Sequence, residues 1–346
     1  MVGKKKIAVI LSGLLMITGL MSCSKTVNEK SEEGNEKTSV VDENNGDVYT
    51  IGISQFIQHD ALDSAREGFI EGLKEKGFEE GKNIKFDYKN AQGDVSIAKT
   101  ISDQFVTSKV DMIFAIATPN VQAAYNSTKD IPIVFTAVTD PVEAEVAKGW
   151  ESSETNVTGT SDMVSIDNQL DLLSSLVPDI KTLGVIYCSS EVNSVIQVNS
   201  LKDAVKDRDI EIKEVSVTNV SEINQNLSSV LGSIDALYVP TDNTIASAYD
   251  LVGNLCINKN IPILCAEEAG VSKGGLCSIG IDYFKLGKEA GYKAAEVLQG
   301  TNPSDIAITT MADMDITINT AVAEKLNITI PEDTLEKANK VTGGVN

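Results

Sequence analysis

The sequence predicts an α/β protein built from two parallel-sheet lobes. Three observations predict it: short apolar runs alternate with amphipathic stretches, one stretch of chain echoes another, and 346 residues suffice for two cores. Residues 48–55 predict a first strand. Leu62, Ala65, Phe69 and Leu73 then mark a helix face that Gly77 closes. Residues 84–88 predict the next strand, and Ile97, Ile101 and Phe105 the next helix face. Strands at 112–117 and 133–137, with a helix between them, complete the first half.

The second half repeats the pattern. Strands are expected at 183–187, 211–217, 236–239, 261–265 and 277–281. Val195, Val198, Leu201 and Val205 mark one intervening helix, and Ile223, Leu227 and Val230 another. The stretch VDMIFAIATPNVQAAY at 110–125 matches IDALYVPTDNTIASAY at 234–249 in its apolar pattern, its Thr before an Asn and its closing Ala-Tyr. Downstream, Lys129-Asp130-Ile131-Pro132-Ile133 echoes Lys259-Asn260-Ile261-Pro262-Ile263. Two echoes in the same order imply two lobes of one architecture. A late helix, with Leu286, Ala290, Ala294 and Leu298 on one face, and a strand at 315–319 are expected to cross between lobes.

Composition narrows the function. With 50 acidic against 29 basic residues, the chain lacks the clustered Lys and Arg that bind nucleic acid. A single histidine, His59, excludes His-pair metal sites. No Gly-rich phosphate loop, G-x-S-x-G elbow or other cofactor motif is present, so no cofactor is expected.

The N-terminus carries an address. Lys4, Lys5 and Lys6 precede an apolar stretch at 7–20, which is shorter than the roughly 20 residues of a membrane span and suits a secretory signal. It ends in Leu20-Met21-Ser22-Cys23, which resembles the bacterial lipobox. That resemblance implies cleavage before Cys23, diacylation of Cys23, and a protein tethered outside the cytoplasmic membrane. Residues 24–47 are polar and acidic and predict a flexible tether. Of the remaining cysteines, Cys188, Cys256, Cys265 and Cys277 sit in apolar runs without CxxC spacing. They suit buried free thiols, with a disulfide as the alternative.

The stretches IGISQFIQHDALDSAREGFIEGL, NAQGD, IFAIATPNVQAA, IPIVFTAVTDPV, NVTGTSDM, GVIYCSSEVNS, YVPTDNT and GIDYFKLG resemble the ABC transporter substrate-binding lipoproteins of the TrpX type. The resemblance runs over residues 48–330. It implies a type I periplasmic-binding-protein fold: two Rossmann-like lobes joined by a hinge with several crossovers. Residues 1–22 would be the signal and 23–47 the anchor and tether. Residues 48–160 with 283–309 would form one lobe, and 161–282 with 310–346 the other. It further implies a monomer that captures a small ligand, an amino acid and most specifically an aromatic one. Delivery would be to an ABC permease with its ATPase, with membrane contact through the lipid alone.

In open parallel sheets, ligands bind beyond the carboxyl ends of the strands. That rule selects Phe56, Thr118, Thr139, Asp140, Ser189, Ser190, Thr241, Asp242, Asn243, Glu267, Asp282 and Tyr283. A zwitterion needs hydroxyls and helix N–H groups for its carboxylate and a carboxylate for its ammonium. Thr118, Ser189 and Ser190 suit the first need, Asp242 or Asp282 the second, and Phe56 and Tyr283 a platform for an aromatic ring. Each residue also has a plainer reading. Thr118 and Asp242 suit helix caps, Asp140 before Pro141 suits a turn, and Glu267-Glu268 suits a solvated acidic pair. The absence of Arg and Lys from these tips disfavours phosphate and dicarboxylate ligands.

Two other functions fit the lobes. A sensor of the same fold would share the binding chemistry. A two-thiol racemase would need Cys188 and Cys265 to face one pocket.

Overall fold

A computed structural model describes residues 48–344. The signal segment, Cys23 and the tether expected from the sequence lie outside the described residues.

The first sheet contains β1 (Tyr49–Gln55), β2 (Ile84–Asn90), β3 (Met112–Ile116), β4 (Ile133–Thr136) and β5 (Val157–Ser161). With them alternate α1 (Asp60–Glu75), α2 (Val95–Ser108) and α3 (Thr118–Ser127). After α4 (Ile166–Leu176) the second sheet follows, with β6 (Thr182–Cys188), α5 (Val192–Ala204), β7 (Glu211–Val217), α6 (Ile223–Val230) and β8 (Ala236–Val239). It continues through α7 (Asn243–Ala246), α8 (Tyr249–Ile257), β9 (Ile263–Cys265), α9 (Glu268–Val271) and β10 (Cys277–Gly280). The chain then returns to the first lobe as α10 (Tyr283–Leu298) and β11 (Thr309–Thr310). It ends in the second lobe as β12 (Asp315–Asn319), α11 (Thr320–Lys325), α12 (Glu332–Lys337) and β13 (Asn339–Val341).

The strand orders are β2-β1-β3-β4-β5-β11 and β7-β6-β8-β9-β10-β12-β13. The first five strands of each sheet are parallel and occur in the same order, so the lobes share one architecture. The echoed segments occupy equivalent places, β3 with β8 and the entries to β4 and β9. Even the ladder bonds correspond: Ile113 N donates to Pro132 O at 3.0 Å, and Leu237 N to Pro262 O at 2.9 Å. The second sheet is extended by β12, antiparallel to β10.

Packing explains why α10 crosses back. Gly287 meets Ala65 so closely that a Cβ there would stand 1.8 Å from the Ala65 carbonyl oxygen, and one on Gly68 would stand 2.0 Å from that of Phe284. Glycines four residues apart on each helix, Gly68 and Gly72 facing Gly287 and Gly291, bring the α1 and α10 backbones together. Beneath them Phe69 stacks on Phe114 with ring centroids 3.5 Å apart.

Some elements differ from the expectation. The strand β5 was not expected, because VTGTS lacks an apolar run. It is nonetheless fully buried, with Thr158 donating to Ile306 O (2.8 Å) and Thr160 to Leu286 O (3.2 Å). Helix α4, β11 and β13 were likewise not expected. Ile97 and Val195, read as core-facing, are 41% and 36% exposed. Each sits in the first turn of its helix.

Candidate functional site

The strand tips of the two lobes meet. In the first lobe, β1 runs into buried Phe56, part of the core, and then buried His59 at the start of α1. The tips after β3 and β4 turn through Ala117 (φ 80°) and Ala137 (φ 57°). This left-handed region is costly for L residues, and such strain concentrates at binding sites. The Ala117 turn places Thr118 in the first turn of α3, fully buried with its hydroxyl unpartnered. Alanine at the cap position leaves that helix end without a side-chain cap. Asn120 beside it donates to Ser54 Oγ at 2.8 Å. Asp140 is a turn residue: one oxygen accepts from Val142 N (2.9 Å) and Glu143 N (3.1 Å).

In the second lobe a buried carboxylate organises the tips. Glu191 Oε2 accepts from Asn243 N (3.1 Å) and Asn243 Nδ2 (2.5 Å), and its Oε1 accepts from Thr244 N (2.9 Å) and Thr244 Oγ1 (2.7 Å). Thr241 is held by Gln197, whose Nε2 donates to the Thr241 hydroxyl and whose Oε1 accepts from Thr241 N at 3.0 Å. Asp242 caps α7: one oxygen accepts from Ile245 N (2.8 Å), the other from Cys188 N (2.5 Å).

Among the described residues, polar contacts cross between the lobes. Thr139 Oγ1 lies 3.3 Å from Thr241 Oγ1, His59 Nε2 lies 3.4 Å from Asn243 Oδ1, and Lys273 pairs with Asp60 at 2.8 Å. The crossover residue Asp162 accepts from Thr139 (3.0 Å) and from the Tyr283 hydroxyl (2.9 Å), so it ties the hinge to both crossing segments. Lys273 is a cation at the cleft that the tip rule missed, because it follows α9 rather than a strand.

The candidates therefore divide. Thr139, Thr241, Asp242, Asn243, Glu267 and Tyr283 are buried and brought together, and Thr118 and Phe56 are buried in the first lobe. Ser189 and Ser190 are exposed; Ser189 donates to Val217 O, and Ser190 Oγ lies 3.1 Å from Cys188 Sγ. Asp282 is half-buried, capping α10 through Lys285 N and pairing with Lys285 Nζ at 3.2 Å. Neither Asp242 nor Asp282 offers a carboxylate free of partners.

Glu267 does. It is 3% exposed, not solvated, and its Oε2 has no hydrogen-bond partner. Burial and the nearby carboxylates of Asp162, Asp242 and Glu191 push its pKa well up. Burial likewise raises Asp162, and burial with Glu191 raises Asp242 to about 8. Tyr249 adds a buried, unpartnered hydroxyl near Glu267. Burial lowers His59 to about 4, which keeps its imidazole neutral. The site is thus a desolvated cluster of carboxyls that burial holds toward their protonated form, and a bound cation would favour their ionisation. Sequence reasoning missed Glu191, Asp162 and Tyr249. Glu191 stands one residue beyond the tip it selected, and Tyr249 closes the echo, where its counterpart Tyr125 is only half-buried.

The four cysteines of the described residues are buried free thiols. Burial raises the pKa of each, Cys256 up to about 12. Cys188 and Cys265 both belong to the second sheet, so they do not face each other across the lobes as two-thiol catalysis requires. Among the described residues, no group of three or more His, Cys, Asp or Glu side chains is placed to hold a metal ion.

Comparison with known proteins adds three findings. A family model described as ABC transporter substrate binding protein matches residues 50–342. A tyrosine-binding protein of Clostridioides difficile (strain R20291) is 46% identical over 325 residues, 94% of this chain and 93% of the relative. Among solved structures, an ABC domain in complex with L-Trp from Streptococcus pneumoniae is 35% identical, with a TM-score of 0.82, covering 85% of this chain and 99% of that one. The ligand-free, open structure of a substrate binding protein from Clostridium difficile is 44% identical but has a TM-score of only 0.66, covering 86% of this chain and 100% of that one. The better fit to the less identical, ligand-bound structure agrees with lobes already in contact across the cleft. More distant structures, such as a leucine binding protein from Thermotoga maritima (13% identical, TM-score 0.56), share the fold alone, that of the type I periplasmic binding proteins.

Proposed function

This chain belongs to the ABC transporter substrate-binding proteins, and from that premise we propose that its lobes close on one aromatic amino acid, tyrosine or tryptophan, for delivery to a membrane permease. The observation that carries the ligand class is Glu267, a buried carboxyl without a partner in a cluster of carboxylates. An α-ammonium supplies the missing positive charge and donors. The ligand carboxylate would lie at Thr118, where an unpartnered hydroxyl and an uncapped helix end converge. Charge-assisted hydrogen bonds of this kind contribute about 1.5–3 kcal/mol each. The names of the similar proteins support an aromatic side chain, and Phe56 and Tyr283 offer rings to pack against it.

The ligand acts through the hinge. It touches both lobes only when they are closed, so it shifts the open–closed balance by its differential affinity. The closed form is then the one a permease engages, with Cys23 as the lipid anchor on the outer face of the cytoplasmic membrane.

Calorimetric titration against the twenty amino acids tests this reading. Tyrosine or tryptophan is expected to bind, and Glu267→Gln to weaken binding by about 2 kcal/mol or more, roughly 30-fold. Absence of aromatic binding would overturn the ligand class, and unchanged affinity in the variant would overturn the role of Glu267.

A further inference from the structure

We propose that His59 reads the ligand's side chain: its Nδ1 accepts a hydrogen bond from a polar hydrogen on an aromatic ring, the O–H of tyrosine or the N–H of tryptophan, and so selects against phenylalanine. The proposal rests on the aromatic amino-acid reading of the same site.

The argument follows the protons. Asn243 gives both its backbone N–H and its Nδ2 to Glu191, which fixes the amide and leaves Oδ1 facing His59 Nε2 at 3.4 Å. An amide oxygen only accepts, so Nε2 carries a proton. The ring is buried, with Asp60 and Asp63 of α1 and Lys273 of the facing lobe as its charged neighbours. Desolvation outweighs the two carboxylates and keeps the imidazole neutral. A neutral imidazole has one N–H, so Nδ1 is a bare acceptor. It is buried and has no partner among the described residues.

Position gives this acceptor its use. His59 follows the tip of β1, its Nε2 spans the cleft, and the tips bearing Thr118 and Glu267 belong to the same two facing sheets. With the amino-acid head group held by those two residues, the side chain is what remains to meet the β1 tip. A ligand donor pairs Nδ1, whereas phenylalanine leaves it buried and unpaired. Sites built around a hydrogen bond discriminate strongly against an analogue that lacks the donor.

His59 is the single histidine of the chain, so every imidazole nitrogen signal belongs to it. The test titrates the purified protein and its His59→Leu variant with L-tyrosine, L-tryptophan and L-phenylalanine, and records imidazole ¹⁵N spectra of the unmutated protein. Tyrosine or tryptophan is expected to bind about tenfold or more tighter than phenylalanine. In H59L that ratio should fall to within about threefold, and the ratio is the readout because loss of the contact to Asn243 acts on all three ligands. The Nδ1 resonance should start as an unprotonated nitrogen and move upfield with the preferred ligand but not with phenylalanine. Equal affinities for all three ligands, a ratio that survives in H59L, or an unmoved Nδ1 signal would overturn the role of His59 alone. Binding of none of the three would overturn the aromatic reading and this proposal together. Should H59L fail to fold, the spectra of the unmutated protein decide.

Discussion

Thr139 and Thr241, 102 residues apart, bring their hydroxyl oxygens to 3.3 Å and join the tips of β4 and β8 across the lobes. The direction of the bond follows from its neighbours. Gln197 Nε2 donates to Thr241, and Thr139 donates to Asp162, so the Thr241 hydroxyl is the donor to Thr139. One chain of hydrogen bonds therefore runs from α5 of the second lobe, across the contact between lobes, to the hinge carboxylate.

Cysteines at both threonines should lock that state, because sulfurs replacing these oxygens lie within a small shift of the roughly 2 Å disulfide length. Oxidised T139C/T241C, loaded with ligand beforehand, is expected to release it at least about tenfold more slowly, with reduction restoring the rate. Stopped-flow release measured with and without reductant checks this. Equal rates would remove these tips from the moving interface.

Glu191 is expected to hold the second lobe's tip together. Removing it strands the Asn243 and Thr244 amides and the Thr244 hydroxyl without their acceptor. At about 1–3 kcal/mol per buried unpaired group, Glu191→Ala should cost about 3 kcal/mol or more. Glu191→Gln, which keeps acceptor capacity, should cost less. Urea unfolding midpoints of the two variants provide the comparison.

Stability should fall as pH rises from about 6.5 to 8. Asp242, Asp162 and Glu267 have folded pKa values raised above their unfolded ones, so the native state holds protons that the unfolded chain has released. Their stabilisation is complete in acid and is lost as pH climbs through the folded values, with a slope of at most about 1.4 kcal/mol per pH unit per group. His59 acts in the opposite sense: lowered from 6.5 to about 4, it costs stability as pH falls below 6.5, outside the chosen window. Saturating ligand should flatten the slope by favouring ionised Glu267. Unfolding free energies at four pH values, with and without tyrosine, check both statements.

Gly287→Ala should be severely destabilising, because its Cβ would meet the Ala65 carbonyl oxygen at 1.8 Å. Separating α1 from α10 is expected to cost about 3 kcal/mol, the upper end of overpacking. Gly232→Ala, with open space around the new methyl, is the control and should stay within about 0.5 kcal/mol. Comparable thermal shifts in the two variants would contradict this packing account.

Much of the fold was legible because each lobe hides its central strands behind helices. The pattern of apolar runs at β1, β3, β6 and β8 therefore reports burial directly. β5 escaped because its burial is achieved by threonine hydroxyls bonded to carbonyls of residues 286 and 306, partners that no local window contains. The candidate site was legible as a set of tips and not as a set of roles. Tyr125 and Tyr249 stand at matching places in the echo, yet only the second is enclosed by the facing elements of its lobe.

By itself the sequence determined two lobes of one architecture, their alternating strand and helix units, and a set of strand-tip loops as candidates for the cleft. These follow from periodicity and repetition, which are local properties. Only the tertiary structure decided which carboxylate is free. Asp242 and Glu267 look alike along the chain, but the amide of Cys188, 54 residues away, occupies Asp242, while no donor reaches Glu267. Whether a buried charge is satisfied depends on what the fold brings beside it, and the residues next to it in sequence do not encode that.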